Sequence, residues 1–370
     1  MKVLHIINGL ERGGAERTLT NLVKNSQAAG IKNIVISLLG RGAFADEIES
    51  SGATLYAIDI RKFPVVAFLT IIREIRKSNV TVVQGWMYHA NFISFIVRLI
   101  FFSGAKLIVN IRHSIYDLSL ESRASRISIY LGKLVTRFAD SVIYNSLVAK
   151  QQHEAYGYRA KNASVIHNGF GILPLSGSKN KFSNLSDGLN RALAEGCTLV
   201  CKLARFHHMK GYEVYLEACS LVKIKYPDVR FLCVGRGTDS KEFSTLVEKF
   251  DLTNEVIIIG ELEMPRDVLL LSDIAVNAAH TEGMPNAVGE SMEAGLPCVA
   301  TDVGDTRELF VDRSFVVEKN NPQQLAAKIL SLVSMSVQAR NELGEANRMF
   351  IKTRFNAMSV TQEYKEHYKN

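Results

Sequence analysis

The sequence predicts two doubly wound α/β domains in tandem, and three observations carry that prediction. Short apolar runs rich in Val and Ile alternate with stretches of helical periodicity from the first residues onward. The runs are apolar throughout instead of alternating, as expected of strands in parallel sheets covered by helices on both faces. The rhythm breaks at one polar stretch and then restarts. A length of 370 residues is long for one domain and comfortable for two.

In the first half the expected strands are Val3–Ile7, Asn33–Leu38, Thr81–Gln84, Lys106–Ile111, Ser141–Asn145 and Ser164–His167. Helical patterns such as Ala15–Ala29 and Val65–Lys77 lie between them. The polar stretch runs from Leu173 to Gly188 and is rich in Ser, Asn, Gly and Lys, as a linker would be. The second half repeats the alternation with strands at Thr198–Leu203, Arg230–Val234, Val256–Ile259, Ile274–Asn277, Cys298–Thr301 and Ser314–Val316. Helices are expected around Gly211–Lys225, Ser240–Phe250, Ala287–Ala294 and Pro322–Ser334. The resulting division is a first domain over 1–175, a linker over 176–196, a second domain over 197–350 and a final helix over 351–370 that packs back towards the first domain.

Composition bounds the class. Hydrophobic residues make up 47% and charged residues 22%, a globular composition with no low-complexity tract. The opening apolar run, Val3 to Ile7, is too short for the core of a secretory signal and reads as a buried strand. The most apolar stretch, Phe92 to Val109, is interrupted by Arg98, Ser103, Gly104 and Lys106 and falls short of a membrane span. The expected compartment is the cytoplasm. The five cysteines form no C-x-x-C pair, and their odd number fits reduced core thiols. No D-x-D pair and no zinc-type spacing occur, so no metal is expected. Charge is uneven: residues 1–175 hold 21 Lys and Arg against 11 Asp and Glu, a balance of +10, and the remainder carries −3. A basic first half suits an anionic partner, whether nucleic acid, phospholipid or phosphorylated acceptor, although solubility alone would also account for it.

Three constellations carry chemistry. The first runs from His280 through Glu282, Gly283, Met284, Pro285, Asn286, Ala287, Val288 and Glu290 to Gly295 and Pro297, between a strand and a helix. Glu282 stands before the helix, and Glu290, eight residues on, falls in its second turn. Backbone N–H groups at a helix start attract anions. Two carboxylates flanking such a site suit a ligand with hydroxyls on both sides of a phosphate. The second constellation is Arg205 and Lys210, five apart on a strand-to-helix loop, where two cations can neutralise a leaving diphosphate. An ordinary solvated basic loop would look the same in isolation. The third is the pair Gly13-Gly14 with Glu16 and Arg17 after the first strand; paired glycines allow close backbone approach to a phosphate. It is not a G-x-G-x-x-G fingerprint.

The spacing E-G-x-P-x-x-x-x-E followed by E-A-G-x-P resembles the E-x7-E motif of the family 4 retaining glycosyltransferases. The R-x4-K-G loop, the glycine pair and an Asn-Gly after a late strand, here Asn168-Gly169, occur in that family in the same order, and the GGAER opening resembles bacterial members that build O-antigen, capsule or lipid-linked glycans. The resemblance covers nearly the whole chain. It implies the GT-B fold, two Rossmann-like domains facing a central cleft. It implies that Glu290 binds ribose, Glu282 the donor sugar, and Arg205 and Lys210 the diphosphate, with Gly14 nearby. Backbone amides from Gly283 to Val288 would assist, and Gly235, Gly237 and Leu262 would wall the nucleoside. His113 would sit near the sugar as a catalytic residue, while Gly13, Glu16, Arg17 and Asn168 would line the acceptor side. The common Gly-Gly after the strand at Cys298–Thr301 is here Gly304-Asp305, a departure that puts the backbone fit in question.

The expected function is therefore metal-independent, retaining transfer of a hexose or N-acetylhexosamine from a nucleotide diphosphate sugar, most simply a UDP-sugar. The acceptor is a saccharide or polyprenyl-linked glycan, at an anionic membrane surface on the inner face of the plasma membrane. No nucleic acid and no cofactor enter the expected reaction. A nucleotide-sugar epimerase with the same donor pocket, or a non-catalytic partner subunit, are the alternatives. A nicotinamide oxidoreductase is a weaker one, since Val234-Gly-Arg-Gly237 lacks the third glycine.

Overall fold

The computed structural model describes residues 1–62, 65–115, 118–120, 122–171, 186–262 and 266–369. The chain forms two compact units, Met1–Gly169 together with Phe355–Asn370, and Phe170–Arg354.

The first unit is built on strands β1 (Lys2–Ile7), β2 (Lys32–Ser37), β3 (Thr54–Ala57), β4 (Val82–Trp86), β5 (Lys106–Ile111), β6 (Ser141–Tyr144) and β7 (Ala163–Val165). They pair in the order β3-β2-β1-β4-β5-β6-β7, every ladder parallel. Alternation within one strand feeds two cores. Val3 and Ile7 join Leu19, Leu22 and Val23 of the helix Gly14–Ala28 on one face. Leu4 and Ile6 join Ala90 and Val97 of the helix Tyr88–Phe101 on the other. The last helix, Ala357–Lys369, lies against Gly14–Ala28 and buries Val360, Tyr364 and Tyr368 in the first of these cores. Its tyrosines hydrogen-bond the sheet: Tyr364 donates to Asn110 at 2.9 Å, and Tyr368 donates to Gln84.

The second unit carries β8 (Thr198–Leu203), β9 (Val229–Val234), β10 (Val256–Gly260), β11 (Ile274–Asn277), β12 (Cys298–Thr301) and β13 (Val316–Val317). The order is β10-β9-β8-β11-β12-β13, again with parallel pairings throughout. Both units are thus Rossmann-like. In each, strand order reverses once, between β1 and β4 in the first unit and between β8 and β11 in the second. Such a reversal leaves a crevice at the strand C-termini where ligands bind.

Several elements differ from the sequence reading. β3 was not expected: Thr-Leu-Tyr-Ala has no apolar run because it is a half-buried edge strand. β4 reaches Trp86 and not just Gln84, since Gly85 and Trp86 still pair with Val109 and Asn110 of β5. β13 begins at Val316, because Arg313–Phe315 coils into a 3₁₀ turn capped by the Asp312 side chain. Of the expected linker 176–196, residues 176–185 lie outside the described ones, and Asp187–Ala194 is a helix with Leu189 and Ala192 buried. The boundary expected at 351 falls later, because the helix Val337–Arg354 stays with the second unit to its end.

Candidate active site

The switch point of the second unit brings the two strongest constellations together. After β8 the chain passes Arg205 and makes a 3₁₀ turn, His208–Lys210, before the helix Tyr212–Lys225. Gly211 joins turn to helix at φ +59, and a Cβ there would collide with the carbonyl of Ala278. Both demands call for glycine. The close approach brings the turn onto the loop that follows β11, and His280 N–H donates to Met209 O at 2.9 Å. Across this junction Lys210 Nζ pairs with Glu282 Oε1 at 2.6 Å, both side chains partly buried. Arg205, on the same loop, is exposed.

Beyond Glu282 the loop turns through Gly283, Met284 and Pro285 into the helix Asn286–Glu293, which no side chain caps. The first-turn amides of Val288 and Gly289 both donate to Pro285 O, at 3.2 and 3.3 Å. Any backbone contribution to an anion therefore falls to the residues before Val288. The side chains of Met284 and Val288 point into the core. Inside the helix, Glu290 pairs with Arg266 at 3.4 Å, and a second nitrogen of Arg266 lies 3.8 Å from Glu293. Arg266 was missed in the sequence. Its only signal was a lone basic residue after the β10 loop, which nothing tied to Glu290. Gly295, at φ +85, ends the helix in the left-handed conformation typical of a glycine stop.

The remaining loops buttress this pair of segments. Gly304, at φ +56, passes so close to the backbone of Glu282 and Gly283 that a Cβ would overlap their carbonyls, and Asp305 N–H donates to Gly283 O at 2.8 Å. The single glycine thus supplies the close approach, and Asp305 supports the Glu282 loop from behind. Gly235, at φ +143, packs on the backbone of Ala204 and Arg205, and Gly237 adopts φ +84 in the same turn after β9. Leu262 lies in the loop after β10. Beneath the site, Lys202 of β8 is fully buried, its amine 4.9 and 5.3 Å from the rings of Tyr212 and Tyr215. Burial pulls its pKa down to about 7. An apolar-looking strand concealed it.

In the first unit the expected residues gather at the C-terminal edge of the sheet. Gly13 caps the helix that Gly14 begins, with Glu16 in its first turn. Arg17 turns away to bind Glu47 at 3.1 Å and to cover the ring of Phe44 at 4.2 Å. Asn168 is buried and accepts from Arg112, which also donates to Thr18 at 3.3 Å and to Tyr364 at 2.9 Å. His113 follows β5 and is partly exposed. Its Nδ1 lies 3.5 Å from the hydroxyl of Tyr88, and that hydroxyl lies 2.7 Å from Nε2 of buried His153. The Tyr88–His153 pair was not picked out in the sequence, because its two residues lie 65 positions apart.

Two partly exposed helices complete the first unit's surface. Tyr88–Phe101 and Arg123–Phe138 pack together, with Phe95 and Phe138 stacked at 5.5 Å. Leu99, Ile100, Ile127, Tyr130, Leu134 and Phe138 nonetheless remain exposed, beside exposed Arg123, Arg126 and Arg137. Among the described residues no helix is long and apolar enough to cross a membrane.

Comparisons with known proteins agree with this division. Residues 12–171 match the family described as Glycosyltransferase Family 4, and residues 190–350 match Glycosyl transferases group 1. A capsular polysaccharide biosynthesis glycosyltransferase, CapH of Staphylococcus aureus, is 25% identical over 100% of this chain and 98% of its own length. One component of the phosphatidylinositol N-acetylglucosaminyltransferase of Arabidopsis thaliana is 24% identical over 87% of this chain and 72% of its own. Among solved structures, HepE of Anabaena in complex with UDP and glucose superposes with a TM-score of 0.82 at 21% identity, over 99% of this chain and 98% of that one.

Proposed function

Because this chain belongs to the glycosyltransferases, its halves matching family 4 and group 1 on a GT-B fold, we propose that it transfers a hexose or N-acetylhexosamine from a UDP-sugar to a saccharide acceptor with retention and without a metal. The observation that carries the reading is the pairing of Lys210 with Glu282 at the switch point, one turn before the helix that bears Glu290. A carboxylate for sugar hydroxyls and a cation for diphosphate then meet where the segments after β8 and β11 come together, and a second carboxylate for ribose stands on the helix that follows.

The chemistry follows from those groups. The acceptor oxygen bonds to the anomeric carbon on the face from which the diphosphate departs. The bond between that carbon and the diphosphate oxygen breaks. The acceptor proton passes to the leaving phosphate oxygen. Negative charge grows on the diphosphate, and Lys210 and Arg205 neutralise it; fixed cations aimed at developing charge are a large catalytic term. No step needs a divalent ion, because two side chains supply the positive charge. The UDP bound by the Anabaena neighbour supports the choice of base, and the name of the S. aureus relative supports a surface polysaccharide as product. The plant relative, named for a phosphatidylinositol acceptor, supports a lipid-linked substrate. The exposed apolar and basic helices of the first unit are the surface that would rest on anionic headgroups at the inner face of the membrane.

The test is thermal stability with UDP-, GDP-, ADP- and TDP-sugars, followed by assay of nucleotide release without acceptor. A ligand at a hundredfold excess over its Kd adds about 2.7 kcal/mol to the folded state. A UDP-sugar should raise Tm and slowly release UDP, with chelator present or absent. A C2-epimerised product, or no response to any nucleotide sugar, would refute the reading.

A further inference from the structure

We propose that Arg266 is a positioning residue that holds the Glu290 carboxylate for the ribose of the donor, and that it thereby sets a preference for ribonucleotides over 2′-deoxyribonucleotides. The assignment of ribose to Glu290 rests on the function proposed above; the inference adds the residue that makes Glu290 selective.

Glu290 and Glu293 lie three residues apart on the helix Asn286–Glu293, so they are neighbours on one face. Their side chains are only 15% and 4% exposed, and like charges so placed repel. One guanidinium answers both. Nη2 of Arg266 donates to Glu290 Oε1 at 3.4 Å, and Nη1 lies 3.8 Å from Glu293 Oε2. Two nitrogens of one planar group thus face two carboxylates, a geometry that the single ammonium of lysine does not reproduce.

The guanidinium is itself placed by the core. Arg266 opens a short helix, Arg266–Leu269, whose Val268 and Leu269 are completely buried. Ser272 Oγ donates to Val268 O at 2.8 Å and closes the segment that follows. The short helix packs against Asn286–Glu293, and the Arg266 side chain between them is largely buried. Stability alone is a weak reason for such a cluster, since buried ionic groups are often replaced by apolar side chains without loss.

The consequence falls on Glu290. Among the described residues, Arg266 is the one side chain that pairs with its carboxylate, and it engages Oε1. That leaves Oε2 to a ligand. As the anion of the pair, the carboxylate offers only lone pairs, so a hydroxyl that meets it must donate. Ribose presents two adjacent hydroxyls as donors, and 2′-deoxyribose presents one fewer. A carboxylate free to swing could follow a single hydroxyl. One that is held in place discriminates, because the analogue that lacks the hydroxyl leaves a fixed polar group unpaired.

The experiment measures calorimetric binding of UDP and 2′-deoxy-UDP to the full chain. The wild-type protein should prefer UDP by about tenfold or more, as a hydrogen bond to a charged group implies. Glu290→Gln should remove most of that preference. Arg266→Gln should weaken UDP binding about tenfold and 2′-deoxy-UDP binding less than about threefold. Added to Glu290→Gln, it should change UDP affinity less than about twofold, because Arg266 acts through Glu290. Arg266→Lys keeps the charge and should give an intermediate preference; thermal melts establish that each variant is folded. Equal weakening of both nucleotides in Arg266→Gln, or an unchanged preference in both Arg266 variants, overturns the inference and leaves the proposed function standing. So does a wild-type protein that binds both nucleotides equally. A wild-type protein that binds neither nucleotide refutes the functional reading itself, and the inference falls with it.

Discussion

Lys210 and Glu282, 72 residues apart, meet at 2.6 Å across the loops that leave β8 and β11. Each is the other's counter-ion, and each is expected to change partners when donor binds. Lys210→Ala should lower kcat by about 10²–10³, the loss of about 2.7–4 kcal/mol typical when one group stabilising developing charge is removed. It should also lower Tm, because Glu282 is left part-buried without its cation. Arg205 is exposed, so Arg205→Ala should slow transfer comparably while leaving stability within about 0.5 kcal/mol. Steady-state kinetics and thermal melts on the two variants decide it; wild-type turnover in both would exclude them from the mechanism.

The stereochemical prediction is retention. The proposed attack comes from the face that the diphosphate leaves, so the product keeps the donor's anomeric configuration. An NMR spectrum of the first product formed from an α-linked UDP-sugar should show an α-glycoside. A β-glycoside would rule out same-face attack, and restoration of chelator-treated enzyme by magnesium or manganese would rule out the metal-free clamp.

Much of this architecture was legible because parallel sheets write themselves as apolar runs. β1, β5 and β8 lie where Val, Ile and Leu cluster, and β11 and β12 are short runs of small and apolar residues. The placement of Arg205, Lys210 and Glu282 on loops after β8 and β11, and of Glu290 in the second turn of the helix that follows, was readable because such segments carry their polar pattern in local sequence. What stayed hidden depends on contacts between distant segments. Arg266 meets Glu290 only through the fold. His153 and Tyr88 become a pair only when two helices cover β4 to β6, and β3 is an edge strand whose polarity masks its period. Gly304 looked like a departure from the family pattern, yet the close approach it makes to Glu282 is visible only in three dimensions.

Lys202 gives a prediction about pH. Among the described residues no carboxylate pairs with its buried amine, and burial pulls the pKa from 10.5 to about 7. Below pH 7 both folded and unfolded chains hold the proton, and the folded state bears the full cost of a buried charge. As pH rises from 7 towards 10.5 the folded chain releases the proton first, so the unfolded chain binds more protons and folded stability rises. The slope for one such group is about 1.4 kcal/mol per pH unit. Lys202→Met has similar volume and no charge. It should stabilise the protein at pH 6.5, and its advantage over the wild type should shrink by about 2 kcal/mol by pH 8.5. Parallel thermal melts at the two values provide the check. An advantage that does not change with pH would mean that the amine keeps its charge throughout.

The last prediction concerns the membrane. Residues 1–175 carry a balance of +10 against −3 for the remainder, and the structure shows how part of that charge is displayed. Along Arg123–Phe138 the exposed residues alternate between Arg123, Arg126 and Arg137 and the apolar Ile127, Tyr130, Leu134 and Phe138. The neighbouring helix adds exposed Leu99 and Ile100. The outer face of a sheet-covering helix carries mainly charged and polar residues. This one mixes large apolar side chains with arginine, and the prediction of shallow insertion between anionic headgroups rests on that mixture. Lys133 contributes less than its charge suggests, because its amine is held 3.8 Å over the ring of Tyr156, and Arg98 is tied to Ala105 O at 3.0 Å. The test therefore uses Arg123, Arg126 and Arg137. Each basic residue near an anionic surface is worth about 1 kcal/mol, so replacing all three by Glu should weaken liposome binding by well over a hundredfold. Co-sedimentation should require phosphatidylserine or phosphatidylglycerol and fall as salt rises, since screening shortens the reach of these charges. Replacing Ile127 and Tyr130 by Ser should weaken binding at all salt concentrations, because that contribution is apolar burial. If the protein ignores anionic vesicles at low salt and uses a soluble acceptor as well as a lipid-linked one, the surface has another role. The transfer chemistry at Lys210 and Glu282 would stand unchanged.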